Sequence, residues 1–190
     1  MKVINQFGEE EVYKDGKHPI DVILLGGIKE DDNWRDQVID QLYQTCYLDN
    51  QDSFEKDLVV YNPAVIDEAH IGFDDKDKEL FSKMTWDYDK IKSSSIKAIY
   101  LSESSSQSLS MFELGFIIGA YARDNIDRLI ISINSKFRRN KELMNYLNLL
   151  LQKTYIDKNI FINDKATPAS HALAIYTKYK QLLLDYYRRQ

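Results

Sequence analysis

Short, almost wholly apolar runs rich in Ile, Val and Leu alternate along this chain with longer segments whose apolar residues recur at helical spacing. That alternation narrows the possible folds more than any other feature. A strand buried on both faces loses the inside–outside alternation of a half-exposed one, and such runs are what a parallel sheet covered by helices on both sides requires. Asp21-Val22-Ile23-Leu24-Leu25-Gly26-Gly27 reads as the first of them, ending in a glycine turn, and Asn33 to Tyr43 as a helix on Trp34, Val38 and Leu42. Leu58-Val59-Val60-Tyr61, closed by Asn62-Pro63, is the second strand. An acidic loop through Asp74-Asp75-Lys76-Asp77 leads to a helix from Glu79 to Lys92, with Leu80, Met84 and Ile91 on one side. A third strand at Ile96-Lys97-Ala98-Ile99-Tyr100-Leu101 precedes a helix from Phe112 to Ala122, and a fourth covers Arg128 to Ile133. A Leu-rich helix from Lys141 to Lys153, a weak strand at Ile160-Phe161-Ile162 and a closing helix from near Pro168, with Ala172, Ile175, Tyr179 and Leu182 on its face, complete the pattern. The expected fold is a three-layer α/β domain over residues 20–190 with a mainly parallel sheet of about five strands. Residues 1–19, with Gly8 and Asp15-Gly16, read as a polar arm that forms a hairpin or drapes over the core.

Composition excludes several function classes. A chain of 190 residues that is 44% hydrophobic, with seven Gly and three Pro, suits one globular domain with a substantial core. Its net charge of −5 leaves no concentrated basic face to displace counterions, which argues against a nucleic-acid polymer as partner. No apolar run reaches the length of a membrane span, and Met1-Lys2-Val3-Ile4-Asn5-Gln6 lacks the apolar core of a signal peptide, so a cytoplasmic protein is expected. The single Cys46 reads as a small core residue of a helix, and His18, His70 and His171 are too scattered for a metal site. Gly26-Gly27 lacks the G-x-G-x-x-G spacing, and no acidic residue follows where a dinucleotide ribose would need one, so neither NAD nor any other cofactor is expected.

Chemistry in an open parallel sheet collects beyond the carboxyl ends of its strands. Three such ends fall together here: Gly26-Gly27, Asn62-Pro63, and the loop Ser104-Ser105-Ser106-Gln107-Ser108. After that loop, Ser110-Met111-Phe112-Glu113-Leu114-Gly115 puts Glu113 in the first turn of an apolar helix, at the mouth of a pocket. Ser110-x-x-Glu113 is equally a capping box, locally the commoner use of such a pair. The glycine turn either brings backbone N–H groups against a small ligand or simply turns the chain. Asp87 and Asp89, in Met84-Thr85-Trp86-Asp87-Tyr88-Asp89, are expected early in their helix, where acidic residues are favoured by the macrodipole and usually solvated. Beside Trp86, however, a carboxylate can be held partly dry and made a general acid.

Taken in order, Leu25-Gly26-Gly27, Trp34-Arg35, Tyr61-Asn62-Pro63, Trp86-Asp87, Ser110-Met111-Phe112-Glu113-Leu114-Gly115 and Phe137-Arg138-Arg139-Asn140 resemble the nucleoside 2-deoxyribosyltransferase family, especially its divergent bacterial and phage members, over about residues 20–140. The resemblance implies a small Rossmann-like domain that cleaves the N-glycosidic bond of a (deoxy)nucleoside or nucleotide and passes the sugar to another base or to water. By it, Glu113 matches the nucleophile and Asp87 the carboxylate that handles the proton of the leaving base, with Asp89 two residues away as the alternative. Gly26, Gly27, Trp34, Asn62, Trp86, Ser108 and Ser110 are the expected substrate contacts, and a homo-oligomer is expected. Ala64-Val65 departs from the Arg residues that often follow Asn-Pro in the family, and the Ser-rich loop replaces a glycine-rich or Pro-containing one. The serines bind a 5′-phosphate or form a polar loop. Two other classes stay open: a nucleotide-binding module without turnover, and an interaction protein docking through Tyr176, Tyr179, Tyr186 and Tyr187.

Overall fold

The apolar runs pair side by side into one sheet. In the computed structural model, which describes residues 1–5, 20–27, 33–48, 58–63, 73–103, 107–124, 128–154 and 160–188, the strands are β1 (Lys2–Asn5), β2 (Ile20–Leu25), β3 (Leu58–Asn62), β4 (Ile96–Leu101), β5 (Leu129–Ile133) and β6 (Ile160–Asn163). The helices are α1 (Trp34–Leu48), α2 (Phe73–Ser93), α3 (Gln107–Asp124), α4 (Asn140–Thr154) and α5 (Pro168–Tyr187). Every strand pair is parallel, in the order β1-β3-β2-β4-β5-β6. The α/β three-layer fold expected from the sequence is present, with six strands rather than about five.

Alternate side chains of each strand feed two cores. Val22, Leu24, Val60, Ala98, Tyr100 and Ile130 pack under α1 and α5 with Trp34, Val38, Leu42, Ile175 and Tyr179. Ile23, Leu25, Ile99, Leu101, Ile131 and Ile133 pack on the opposite face with Ile91 of α2, Leu114 and Ile117 of α3, and Leu143 and Leu147 of α4. Cys46 is a buried thiol of the first core. Asp21 anchors the junction between α2 and β4: its Oδ1 accepts from the Ser95 amide at 2.8 Å and from the Ser95 hydroxyl at 2.7 Å. Thr167 and Ser170 cap α5 reciprocally, with Pro168 in its first turn.

Four expectations change. Residues 2–5 are neither a hairpin nor a drape but an edge strand, with Val3 opposite Val60 and Asn5 opposite Asn62; residues 6–19, including Gly8 and Asp15-Gly16, lie outside the described residues. The acidic stretch 74–77 is not a loop but the opening of α2, and acidic residue types are favoured near a helix N-terminus. Asp87 and Asp89 therefore sit near the end of that helix and not early in it. The Tyr residues of α5 do not make one docking face: Tyr179 is fully buried and Tyr176 packs against the core, leaving Tyr186 and Tyr187 exposed.

Sequence order and spatial order part company at β2. The chain runs from β2 outward to β3 and then returns past β2 to β4. Helices leaving the ends of β2 and β4 go to opposite faces, which makes those ends the switch point where sheets of this kind carry a crevice.

Candidate active site at the switch point

Gly26 ends β2 with φ +126°, a backbone conformation open to glycine. A Cβ there would lie 2.1 Å from the carbonyl oxygen of Tyr100 on β4, so the residue is also fixed by the close approach of the two strands. The tight-turn reading of the glycine pair is thus what its backbone displays. Both turn carbonyls point toward α1. Gly26 O accepts from the Arg35 guanidinium at 2.8 Å, and Gly27 O from the Trp34 indole N–H at 3.1 Å.

Trp34 was expected at the pocket surface, yet its ring is only 1% exposed. It packs 5.0 Å from Tyr100 and edge-on to His171 at 6.2 Å, measured between ring centroids, and so supports the turn from beneath. His171 itself is sealed in this core with Nδ1 2.7 Å from the Ser132 hydroxyl, and burial lowers its pKa to about 3.

Arg35 is the residue that sequence reasoning passed over as a site member. Its guanidinium reaches from the first turn of α1 to two strand ends at once, donating to Gly26 O at 2.8 Å and to Pro63 O at 2.6 Å. The guanidinium is buried, and that desolvation lowers its pKa to about 10; Glu113 and then Asp87 act in the opposite direction, stabilising the charge, with Asp36 last. Arg35 therefore remains a cation at neutral pH, within electrostatic reach of both carboxylates named from the sequence. The signal was available: a cation in the first turn of a helix opposes the macrodipole and needs another reason to be there.

Asp87 comes from the last turns of α2 and Glu113 from α3. Both side chains are half-buried, and one oxygen of each is shut off from solvent. Asp89, the alternative, is exposed. Because α3 starts at Gln107, Glu113 lies in its second turn and Ser110 inside the helix, so the two are not a capping box. Ser108 and Ser110 belong to the backbone of the first turn of α3; their side chains, and residues 104–106, lie outside the described residues. Asn62 closes β3 beside Pro63. Trp86 stands edge-on to Tyr61, with 6.0 Å between centroids, and Lys90 Nζ sits 4.4 Å over the Tyr61 ring, fastening the end of α2 to the end of β3. The structure thus ties the turn after β2 and the end of β3 together through Arg35, with Glu113 and Asp87 in electrostatic reach of it and Trp86 against Tyr61 of β3. Among the described residues, no group of three His, Cys, Asp or Glu could hold a metal ion, and no helix is long and apolar enough to cross a membrane.

The site is thus a doubly wound parallel sheet with a buried arginine at its switch point and two carboxylates in electrostatic reach of that arginine. The family model described as nucleoside 2-deoxyribosyltransferase like matches residues 19–126. The chain belongs to this family. No curated protein matches it.

Proposed function

We propose that this protein cleaves the N-glycosidic bond of a (deoxy)nucleoside or nucleotide by double displacement through Glu113. The observation that carries the reading is the convergence on Arg35: one buried cation bonded to the ends of β2 and β3 is stabilised by Glu113 and Asp87 together. A structural ion pair needs only one carboxylate. Two on separate helices, held at a crevice rather than in a core, are the equipment of glycoside chemistry.

In the first step a carboxylate oxygen of Glu113 attacks the anomeric carbon, and the carbon–nitrogen bond breaks with its electron pair going to the base. Asp87 supplies the proton that neutralises the departing nitrogen. In the second step a nitrogen of another base, or a water oxygen, attacks the same carbon and releases Glu113; Asp87 takes up the proton that the attacking group loses. Arg35 holds the turns that shape the crevice and offsets the charge of two neighbouring carboxylates. Asp87 is favoured over Asp89 because it is half-buried and acts on Arg35.

The test is to incubate the protein with 2′-deoxyadenosine, 2′-deoxycytidine, thymidine and their 5′-monophosphates, each with and without a second free base. Free base should appear, and an exchanged nucleoside as well if transfer outruns hydrolysis. Absence of base release from the whole set would overturn the reading in favour of a binding module.

A further inference from the structure

We propose that the outer face of α2 and α3 is the surface through which two copies of this protein pair, with α3 of one copy crossing α3 of the other over Gly115 and Gly119. The pairing stands apart from the glycoside reading and is tested without turnover. Phe81, Met84 and Tyr88 recur along one side of α2, and Phe112 and Phe116 stand one turn apart on α3. Each is between 36% and 73% exposed. The Tyr88 and Phe116 rings lie 5.5 Å apart between centroids, so the two stripes form one continuous surface.

Gly115 and Gly119, one turn apart, are exposed on the same side of α3 as Phe112 and Phe116. A Cβ built on either meets nothing within 4 Å among the described residues, and neither has the positive φ that fixes Gly26. Packing among the described residues therefore does not ask for glycine at either position, although glycine inside a helix is destabilising relative to alanine. A helix side bare of side chains is what lets a second helix approach closely.

A second copy is the partner that fits. Phe112 and Phe116 project from the stripe while Gly115 and Gly119 leave it flat, so one helix side holds both halves of a fit. Two-fold pairing requires such self-complementarity, with the rings of each copy lying over the glycines of the other. The area agrees. The five exposed side chains offer on the order of 500 Å² of apolar surface, toward the upper end of what a monomer leaves in water. A stable dimer buries about 800 Å² per partner, about 65% of it apolar, which comes to much the same. Asp87 adjoins Tyr88 and Glu113 adjoins Phe112 along the chain, so the pairing braces from outside the two helices that carry both carboxylates.

Sedimentation velocity from about 1 µM to about 100 µM decides the matter, on wild type, Phe112→Lys, Gly119→Leu and Tyr47→Lys. Wild type should be dimeric at the upper concentrations. Phe112→Lys puts a charge in the seam, and Gly119→Leu fills the flat ground on which α3 of the other copy rests. Each should weaken dimerisation at least about 100-fold and leave a monomer with an unchanged helical circular dichroism spectrum. Gly119→Leu is the sharper of the two, because leucine has room in the single chain and favours a helix more than glycine does, so a protein that works alone would gain from it. Tyr47, exposed on α1 in the opposite layer, marks the face left free, and Tyr47→Lys should dimerise as wild type does. A wild type that stays monomeric at about 100 µM leaves the face to a different protein and overturns the proposal. A dimer that survives either Phe112→Lys or Gly119→Leu, or one that Tyr47→Lys breaks, overturns it as well.

Discussion

Arg35 shows how much one side chain can organise. Its planar fork meets two carbonyls from different strand ends, an arrangement a lysine ammonium on a flexible stem does not reproduce. Arg35→Lys therefore keeps the charge and loses the span: kcat/KM is expected to fall roughly 10- to 100-fold and stability by about 1–3 kcal/mol, read from steady-state kinetics and urea unfolding. Wild-type behaviour on both counts would leave Arg35 an ordinary buried cation. Asp87 has a different signature. On the proposed mechanism Asp87→Asn removes the proton donor but not the nucleophile, so unactivated nucleosides should react about 10²–10⁴ times more slowly, while a nucleoside with an easily departing base is slowed far less. Equal slowing of both would remove Asp87 from proton transfer. Glu113 was legible as a residue but not in its setting: the sequence offered Ser110 as its capping partner, and the earlier start of α3 at Gln107 places both inside the helix.

Elements differ in how openly the sequence announces them. The central strands β2, β4 and β5 read as largely continuous apolar runs because helices cover both their faces, and the expected and observed strands coincide within a residue or two. Strand β1 was missed because Lys2 and Asn5 break such a run; an edge strand tolerates polar residues that a central one does not. The opening of α2 was missed because an Asp-rich stretch resembles a loop in composition. Arg35 was quoted for its resemblance but not as a site member, since the partners that give it meaning, Gly26 and Pro63, are brought to it only by tertiary structure. The β2–α1 turn is the least tolerant element. Gly26→Ala imposes a side chain at φ +126° and drives a Cβ to 2.1 Å from Tyr100 O, so a loss of about 2–5 kcal/mol is expected in denaturant titration, with base release falling alongside. A near-neutral Gly26→Ala would mean that the strands part readily at the switch point.

At the scale of the whole molecule, the core under α1 and α5 carries a pH dependence. The folded pKa of His171 is lowered by burial from 6.5 to about 3. The unfolded chain therefore binds a proton between those values that the folded chain refuses, and stability falls as pH drops from about 6.5 toward about 3. At pH 5 the loss is about 2 kcal/mol relative to pH 7. His171→Gln should remove that part of the dependence, and urea unfolding of both proteins at pH 7 and pH 5 reads the difference; identical pH dependence would mean that His171 is protonated in the fold. The same core seats Trp34 beneath the glycine turn, so a stable α5 face and an ordered crevice are expected to be lost together. The central claim is that Glu113 becomes covalently bonded to the sugar. The direct measurement is intact-protein mass spectrometry after rapid acid quenching during turnover of 2′-deoxyadenosine, with peptide mapping, on wild type and on Glu113→Gln. Wild type should carry a deoxyribosyl adduct on Glu113, while Glu113→Gln should carry none, release base at least about 10³-fold more slowly and melt at nearly the same temperature. A Glu113→Gln protein that turns over normally, or an adduct on any other residue, would contradict the mechanism.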